Sequence, residues 1–308
     1  ELTATVDGLV GSDKVSYDVT REAGEVVGTY AITASGAAEQ GNYTVTYVPA
    51  TFTITPSSGL TVSGTDYDAA YDGSEHGTAA TASVTEGTTI SYSTDGGQTW
   101  STDYPTITNV GTINVTVKAE NPNYAPATAN YVLNVSTKEV TVTADAASKT
   151  YGETDPELTA TVTGLIGSDV VNYNVIRESG EDAGTYVITT SGEEIQGNYK
   201  VTYKPGTFTI NKADMTVTTQ GYDGTYDGQS HGGSVTPSVT EGTTISYSTD
   251  GGQNWTTTPP TRTDAGETEV LVKVENDNYN TVNDKYTIKI DRANVTVTAN
   301  NAGKTYGK

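Results

Sequence analysis

Residues 1–54 of this chain are written again as residues 157–210, and residues 61–148 again as 216–303. The first shift is 156 residues without a gap, and the second is 155. Glu86-Gly-Thr-Thr-Ile-Ser-Tyr-Ser-Thr-Asp-Gly-Gly-Gln98 and Glu241 to Gln253 agree letter for letter. Two module types therefore alternate in the order A-B-A-B. Self-similarity at a fixed period is the mark of an array and constrains every later reading. Four modules in 308 residues leave each with under 80, small for a hydrophobic core yet enough to fold alone. Duplication also weighs on function. An enzyme rarely needs a second copy of itself in one chain, whereas a rod, a stalk or an adhesive surface does.

Within the modules the period is two. Ile113, Val115 and Val117 fall on one face of a strand, and Asn114, Thr116 and Lys118 on the other. Leu158-Thr-Ala-Thr-Val162, Val140-Thr-Val-Thr143 and Lys200-Val-Thr-Tyr-Lys204 alternate in the same way, the pattern of half-buried strands. No helical stripe of useful length is present. With 33 glycines and 10 prolines as punctuation, the expectation is an all-β chain: tandem small Ig-like β-sandwich modules in an elongated array. The module boundaries are read at 1–56, 57–136, 137–212 and 213–290, with 291–308 as the first strand of a following A module. The linkers, such as Thr55-Pro-Ser-Ser-Gly-Leu60 and Asn211-Lys-Ala-Asp-Met215, are too short for floppy tethers. Phe52 and Phe208, the two phenylalanines of the chain, occupy the same place in the two A copies and read as core anchors.

The ends carry a further pattern. A whole A module opens near Lys138-Glu-Val-Thr-Val-Thr-Ala-Asp145, a strand that the first A copy lacks. The chain finishes with Ala293-Asn-Val-Thr-Val-Thr-Ala299, the same strand without a body. Two expectations account for this: a cut through a longer array, or head-to-tail donation of strand 293–308 to the incomplete module 1–55 of another copy.

Net charge is −22. That argues against nucleic acid as a partner, because binding needs a basic face to displace counterions. No apolar stretch reaches 18 residues, so none inserts in a membrane as a helix. No cysteine is present, so neither a disulfide nor a thiolate metal site is available.

Lys149-Thr-Tyr-Gly-Glu-Thr-Asp-Pro156, Gly184-Thr-Tyr186, Gly197-Asn-Tyr199 and Gly206-Thr-Phe-Thr-Ile210 give the A module a resemblance to the bacterial MBG repeat of the Tyr-Gly type. The first copy keeps Gly28-Thr-Tyr30 and Gly41-Asn-Tyr43 without the Tyr-Gly opening. Through Tyr71-Asp-Gly73, Asn121-Pro-Asn-Tyr124 and their partners Tyr226-Asp-Gly228 and Asn276-Asp-Asn-Tyr279, the B module resembles bacterial Ig-like repeats. The resemblance implies large secreted or wall-attached bacterial surface proteins, often adhesins, and implies no catalytic residues.

Ser93-Thr-Asp-Gly-Gly-Gln-Thr-Trp100 is similar to the Asp-box of sialidases and other propellers; the second copy has Asn254 in place of the threonine. One box per module, with Arg21, Arg177, Arg262 and Arg292 scattered, reads as a turn device in which Asp95 and Asp250 cap N–H groups and Trp100 and Trp255 cover the hairpin. Tyr67, Tyr71, Tyr104, Tyr222 and Tyr226 are the outward-facing candidates for stacking on a sugar. Asp66, Asp68 and Asp72 form an acidic patch that is a candidate calcium site, although their spacing matches no known calcium loop. Lys149 is a candidate amine for a side-chain crosslink with no partner singled out. The expectation is a non-catalytic stalk or adhesin segment at a bacterial cell surface, without cofactor. The alternatives are a glycan- or mucin-binding module, with a host or environmental glycan or protein as partner, and a self-assembling filament.

Overall fold

A computed structural model describes residues 1–306. All its regular elements are strands, as the period-two patterning and the wealth of β-branched threonine and valine require. The chain falls into two compact units. One comprises Glu1–Val140, Gly164–Val170 and Glu194–Val201; the other comprises Thr141–Thr163, Val171–Glu193 and the chain from Thr202 onward.

In the first unit, the B module is built on a long hairpin, Gly111–Asn121 against Tyr124–Ser136. Thr89–Ser93 flanks it antiparallel on one side and Tyr67–Ala70 parallel on the other. The facing layer is the short pair Val62–Ser63 and Thr81–Ala82. Val115, Val117 and Ala119, the alternate residues of one hairpin strand, are all but sealed from solvent, as are Leu133 and Val135 opposite. Residues 1–54 of this unit form a three-stranded sheet, Asp18–Arg21, Gly28–Ser35 and Ala50–Ile54, and a ribbon of Glu39–Gln40 with Tyr43–Thr44. No residue between 1 and 59 is buried.

In the second unit, Ala147–Thr150, Gly206–Asn211, Gly184–Ser191 and Asn174–Arg177 make a four-stranded sheet. Its apolar face gathers Ala144, Ile188, Phe208 and Ile210 into a core. Also within this unit, Thr141–Ala144 pair antiparallel with Thr163–Ala160; in the first unit, Ile195–Gln196 pair antiparallel with Lys200–Tyr199. The second B module repeats the first: Tyr222–Thr225, Tyr279–Asp291, Gly266–Asn276 and Thr244–Ser248 in one sheet, Val217–Gln220 with Ser234–Pro237 facing it. Val270, Val272, Val274, Tyr286 and Ile288 fill its core with Met215 and Tyr247. The modules are therefore tandem all-β sandwiches of the Ig-like kind.

One repacking separates the two B cores. The ring of Tyr131 lies where a Cβ on Gly64 would sit, 2.0 Å away, whereas its counterpart Tyr286 lies 2.2 Å from the Cβ position of Gly233. The first copy makes room with glycine at 64 and threonine at 78; the second exchanges them, with Thr219 and Gly233.

Candidate functional site

The Asp-box turns are closed on themselves. Asp95 Oδ1 accepts Ser93 Oγ at 2.7 Å and the N–H groups of Gln98 and Thr99, both at 3.0 Å; Thr99 Oγ1 donates to Oδ2 at 2.6 Å. Gly96 and Gly97 adopt φ of 74° and 90°, left-handed values that a side chain at those positions would strain. In the second copy Asn254 Nδ2 makes the bond of the missing threonine hydroxyl at the same 2.6 Å. The bonds from Thr99 and Ser93 push Asp95 far below the ordinary carboxyl range, and those from Asn254 and Ser248 push Asp250 down to about 2. Each carboxylate is held as an acceptor within its own turn. Trp100 and Trp255 cover the hairpins, each Nε1 donating to a glycine carbonyl, with Lys118 and Lys273 over the rings at 4.7 Å and 5.3 Å.

The acidic patch does not converge. Asp66 Oδ1 accepts the N–H of Val132, Asp68 Oδ1 accepts Asn134 Nδ2, and Asp72 Oδ1 caps Ser74 while lying 2.8 Å from His76 Nε2. A strand and the turn after it aim the three carboxylates at separate partners. Among the described residues no group of three or more potential ligands could hold a metal ion.

The outward expectation fails at three of the five tyrosines. Tyr67 stacks on His76 at 4.2 Å, and Tyr222 on His231 at 4.0 Å; all four side chains are half-buried. Bonds from His76 and Ser74 hold Asp72 below its ordinary value, and His231 and Gln229 do the same for Asp227. The i, i+4 spacing of Asp72 and His76 was the sequence signal for this pairing. Tyr71 is buried because its ring meets Tyr199 edge-on at 5.6 Å and its hydroxyl donates to Asp169. Tyr104 and Tyr226 are exposed.

Lys149 is 6 % exposed and bridges Asp155 at 2.8 Å and Glu181, both of which also pair with Arg177. Arg177 and Lys149 hold Asp155 down to about 2, and Lys149 and Arg177 lower Glu181; Asp155 and Glu181 in turn raise Lys149. Lys149, Arg177, Asp155 and Glu181 thus form an ion network around a buried cation.

The structure also gives the Asn-Tyr sites a contact with a neighbouring module. Three of the four Asn-Tyr hairpin tips reach back onto the preceding module. Asn123 Oδ1 accepts the N–H of Val27 at 2.9 Å, Asn198 Oδ1 that of Val110 at 2.9 Å, and Asn278 Oδ1 that of Ala183 at 2.7 Å. The backbone carbonyls of the same asparagines accept linker N–H groups from Ser57, Lys138 and Ala213 at 3.0, 2.9 and 3.0 Å. Each receiving N–H lies one residue before a glycine, at Gly28, Gly111 and Gly184. The first two joints lie in the first unit and the third in the second. Asn121 and Asn276 brace the B tips by donating to Glu86 and Glu241 carbonyls at 2.9 Å. Tyrosines complete the joints: Tyr199 donates to Asp169 at 2.6 Å beside Tyr71, and Tyr279 meets Tyr151 edge-on at 5.4 Å. The signal was present in the recurrence of Asn-Tyr in all four modules, but its reach into a neighbour was not.

Against known proteins, the family of the MBG domain (YGX type) matches residues 1–53 and 140–209, the two A modules. No curated protein matches the chain. Among solved structures, the human desmocollin-1 ectodomain aligns over 86% of this chain and 68% of its own, at 13% identity and a TM-score of 0.30. The protocadherin GammaB4 extracellular domain aligns over 86% and 56%, at 9% identity and 0.33. Immunoglobulin domains 1–4 of sidekick-1 align over 87% and 83%, at 10% identity and 0.28.

Proposed function

We propose that this chain is a non-catalytic spacer from a bacterial cell-surface protein, a repeat segment that holds and displays other parts at a set distance outside the cell. The observation that carries this reading is the asparagine clasp, made three times with one geometry between successive modules. Each clasp ties a linker N–H to the backbone carbonyl of one asparagine and a neighbouring module's N–H to its side-chain Oδ1, so a joint keeps its angle without a large apolar interface. The match of both A modules to the MBG domain supports a repeat architecture. The self-satisfied Asp-boxes, the separated acidic patch and the ion network bring no catalytic groups together among these site residues, which supports a non-catalytic reading. The acidity of the chain, at −22, keeps such an array soluble and apart from nucleic acid. Among the described residues no helix is long and apolar enough to cross a membrane.

The test is distance. With fluorophores on the two outer modules, the wild-type chain is expected to show one narrow, long distance distribution. Replacing Asn123, Asn198 and Asn278 together by alanine should broaden it while each module still melts cooperatively. A distribution unchanged by the triple substitution would refute the clasp as the source of stiffness.

A further inference from the structure

Tension along a chain loads each folded module where the chain enters it and where the chain leaves. The response depends on how the entry and exit strands pair. If they pair antiparallel, the two loaded ends lie side by side and the bonds between them break one after another. If they pair parallel, the loads pull the strands past each other, and all the bonds between them are sheared together.

Three modules of this chain pair an entry strand with the exit strand in parallel, over four residues on each side. In the first B module Tyr67–Ala70 lies beside residues 133–136. In the second B module Tyr222–Thr225 lies beside residues 288–291. In the A module 137–212, Ala147–Thr150 lies beside residues 208–211. Each pair belongs to a single compact unit. One bond closes all three: a tyrosine N–H just past the entry strand donates to the carbonyl of the exit strand's last residue. Tyr71 reaches Ser136 at 2.9 Å, Tyr151 reaches Asn211 at 2.8 Å and Tyr226 reaches Asp291 at 2.8 Å. The other strand pairs of both B modules are antiparallel.

The exit strand is held firmly on its other side. Leu133 and Val135, Ile288 and Ile290, and Phe208 and Ile210 are at most 2 % exposed. The far edge of each exit strand pairs antiparallel with a longer strand, Gly111–Asn121, Gly266–Asn276 or Gly184–Ser191. A pulled exit strand therefore drags its core along, and the parallel pair is where the module has to give. We propose that these parallel pairs are load-bearing clamps, and that the chain carries tension between the cell and what the repeat segment displays. This deepens the spacer reading and rests on it for the source of the load.

Side chains staple the same strands. Asp66 Oδ1 accepts the N–H of Val132 at 2.7 Å, Asp68 Oδ1 accepts Asn134 Nδ2 at 2.8 Å, and Ser136 Oγ donates to the Ala69 carbonyl at 3.3 Å. Two members of the acidic patch thereby gain a structural task. At the equivalent place in the second B module, Lys289 and Asp223 form an ion pair at 3.4 Å. In the A module Asn211 Nδ2 donates to the Lys149 carbonyl at 3.3 Å. The buried Lys149 ammonium ties its strand to Glu181, just ahead of Gly184–Ser191. Sliding that strand would strip a buried cation of its partner. The staples differ in chemistry from module to module while the parallel pairing stays the same, so the pairing is the common device. The asparagine clasps at Ser57 and Ala213 lie upstream of the B clamps. Clasp and clamp are separable: one sets the angle of a joint at rest, the other the force at which a module opens.

The chain has no cysteine, so paired cysteine substitutions in the full chain define where force is applied. Lys212→Cys with Arg292→Cys pulls on the entry and exit of the second B module and shears its clamp. Asp264→Cys with Arg292→Cys pulls on the open end of the antiparallel hairpin Gly266–Asn276 and Tyr279–Asp291 and unzips it. At equal pulling speed the first pair is expected to need a several-fold higher force than the second. Equal forces in the two directions overturn the inference. Adding Tyr226→Pro to the first pair removes the closing N–H and is expected to lower the force. Tyr226→Ala keeps that N–H, trims a ring that is 44 % exposed, and should leave the force unchanged. A force that Tyr226→Pro does not lower, in protein that still melts cooperatively, also overturns the inference. The comparison of directions keeps Tyr226 and decides the matter if the proline variant fails to fold. Every one of these readouts is a force, whereas the spacer reading is tested by distances at rest, so the two fail independently.

Discussion

Phe52 and Phe208 stand at one place in two copies of one sequence, and their surroundings have diverged. Phe208 is fully buried, whereas Phe52 is half-buried. The same holds for Ile188 against Ile32, Val201 against Val45 and Tyr199 against Tyr43. Both rings carry an arginine above them, Arg21 at 4.9 Å and Arg177 at 4.8 Å, so the local sequence is read alike in both. The difference is the segment 138–150, whose two strands, Lys138–Ala144 and Ala147–Thr150, supply Val140, Val142, Ala144 and Lys149 to one copy. A sandwich buries apolar surface between two layers, and a layer short of one strand leaves its partner's face wet. The comparison teaches that core formation here belongs to the set of strands, not to the anchoring residue.

Cutting each anchor is the strongest way to break that comparison. Phe208→Ala is expected to destabilise its module by about 3–5 kcal/mol. Phe52→Ala should cost only about 1–2 kcal/mol in dilute monomeric chain, because less ring area leaves water there on folding. Chemical denaturation followed by module-specific probes checks both, and equal losses would show that residues 1–54 pack a full core.

The joints come next. Asn278→Ala should lower the cooperativity between its two modules by about 1–3 kcal/mol, since the Ala183 N–H loses its acceptor. Asn123→Ala should cost less, because Asn278 also donates to Asp182 at 2.9 Å. Hydrogen exchange at Ala183 and Val27 reads the two directly.

Acid sharpens the comparison of the A copies. Asp155 is held down to about 2 by Arg177 and Lys149. A depressed carboxyl stabilises fully above its unfolded value, ordinarily 3.8, and that contribution fades as pH falls toward 2. The melting temperature of module 137–212 should therefore drop across this window at low salt, and Asp155→Asn should flatten the drop. Module 1–54, where Arg21 pairs with Glu25 alone among these partners, should respond less. The smallest effect is at the second Asp-box. Asn254→Thr should change stability by no more than about 0.5 kcal/mol, because Thr99 makes the equivalent bond.

Much of this molecule was legible in its letters. Alternation at Val115, Val117 and Ala119, or at Val140, Val142 and Ala144, fixed which faces would be buried, because a strand's side chains can only point two ways. The Asp-box could be read as a closed turn because all its bonds span four residues or fewer. Asp66, Asp68 and Asp72 looked like one patch because nearness in sequence is not convergence; the pleat and the following turn sent them to separate partners.

The alternation within strands and the Asp-box turns could be read from the letters, because both depend on contacts within a short span of chain. Tertiary structure alone decided that Tyr71 is buried while Tyr226 is exposed, that Asn123, Asn198 and Asn278 are clasps, and that Lys149 sits between two carboxylates. Apart from Asp155, which lies close to Lys149 in sequence, those outcomes depend on groups 30 to nearly 100 residues away, and identical letters meet different neighbours when a module has another docked on it.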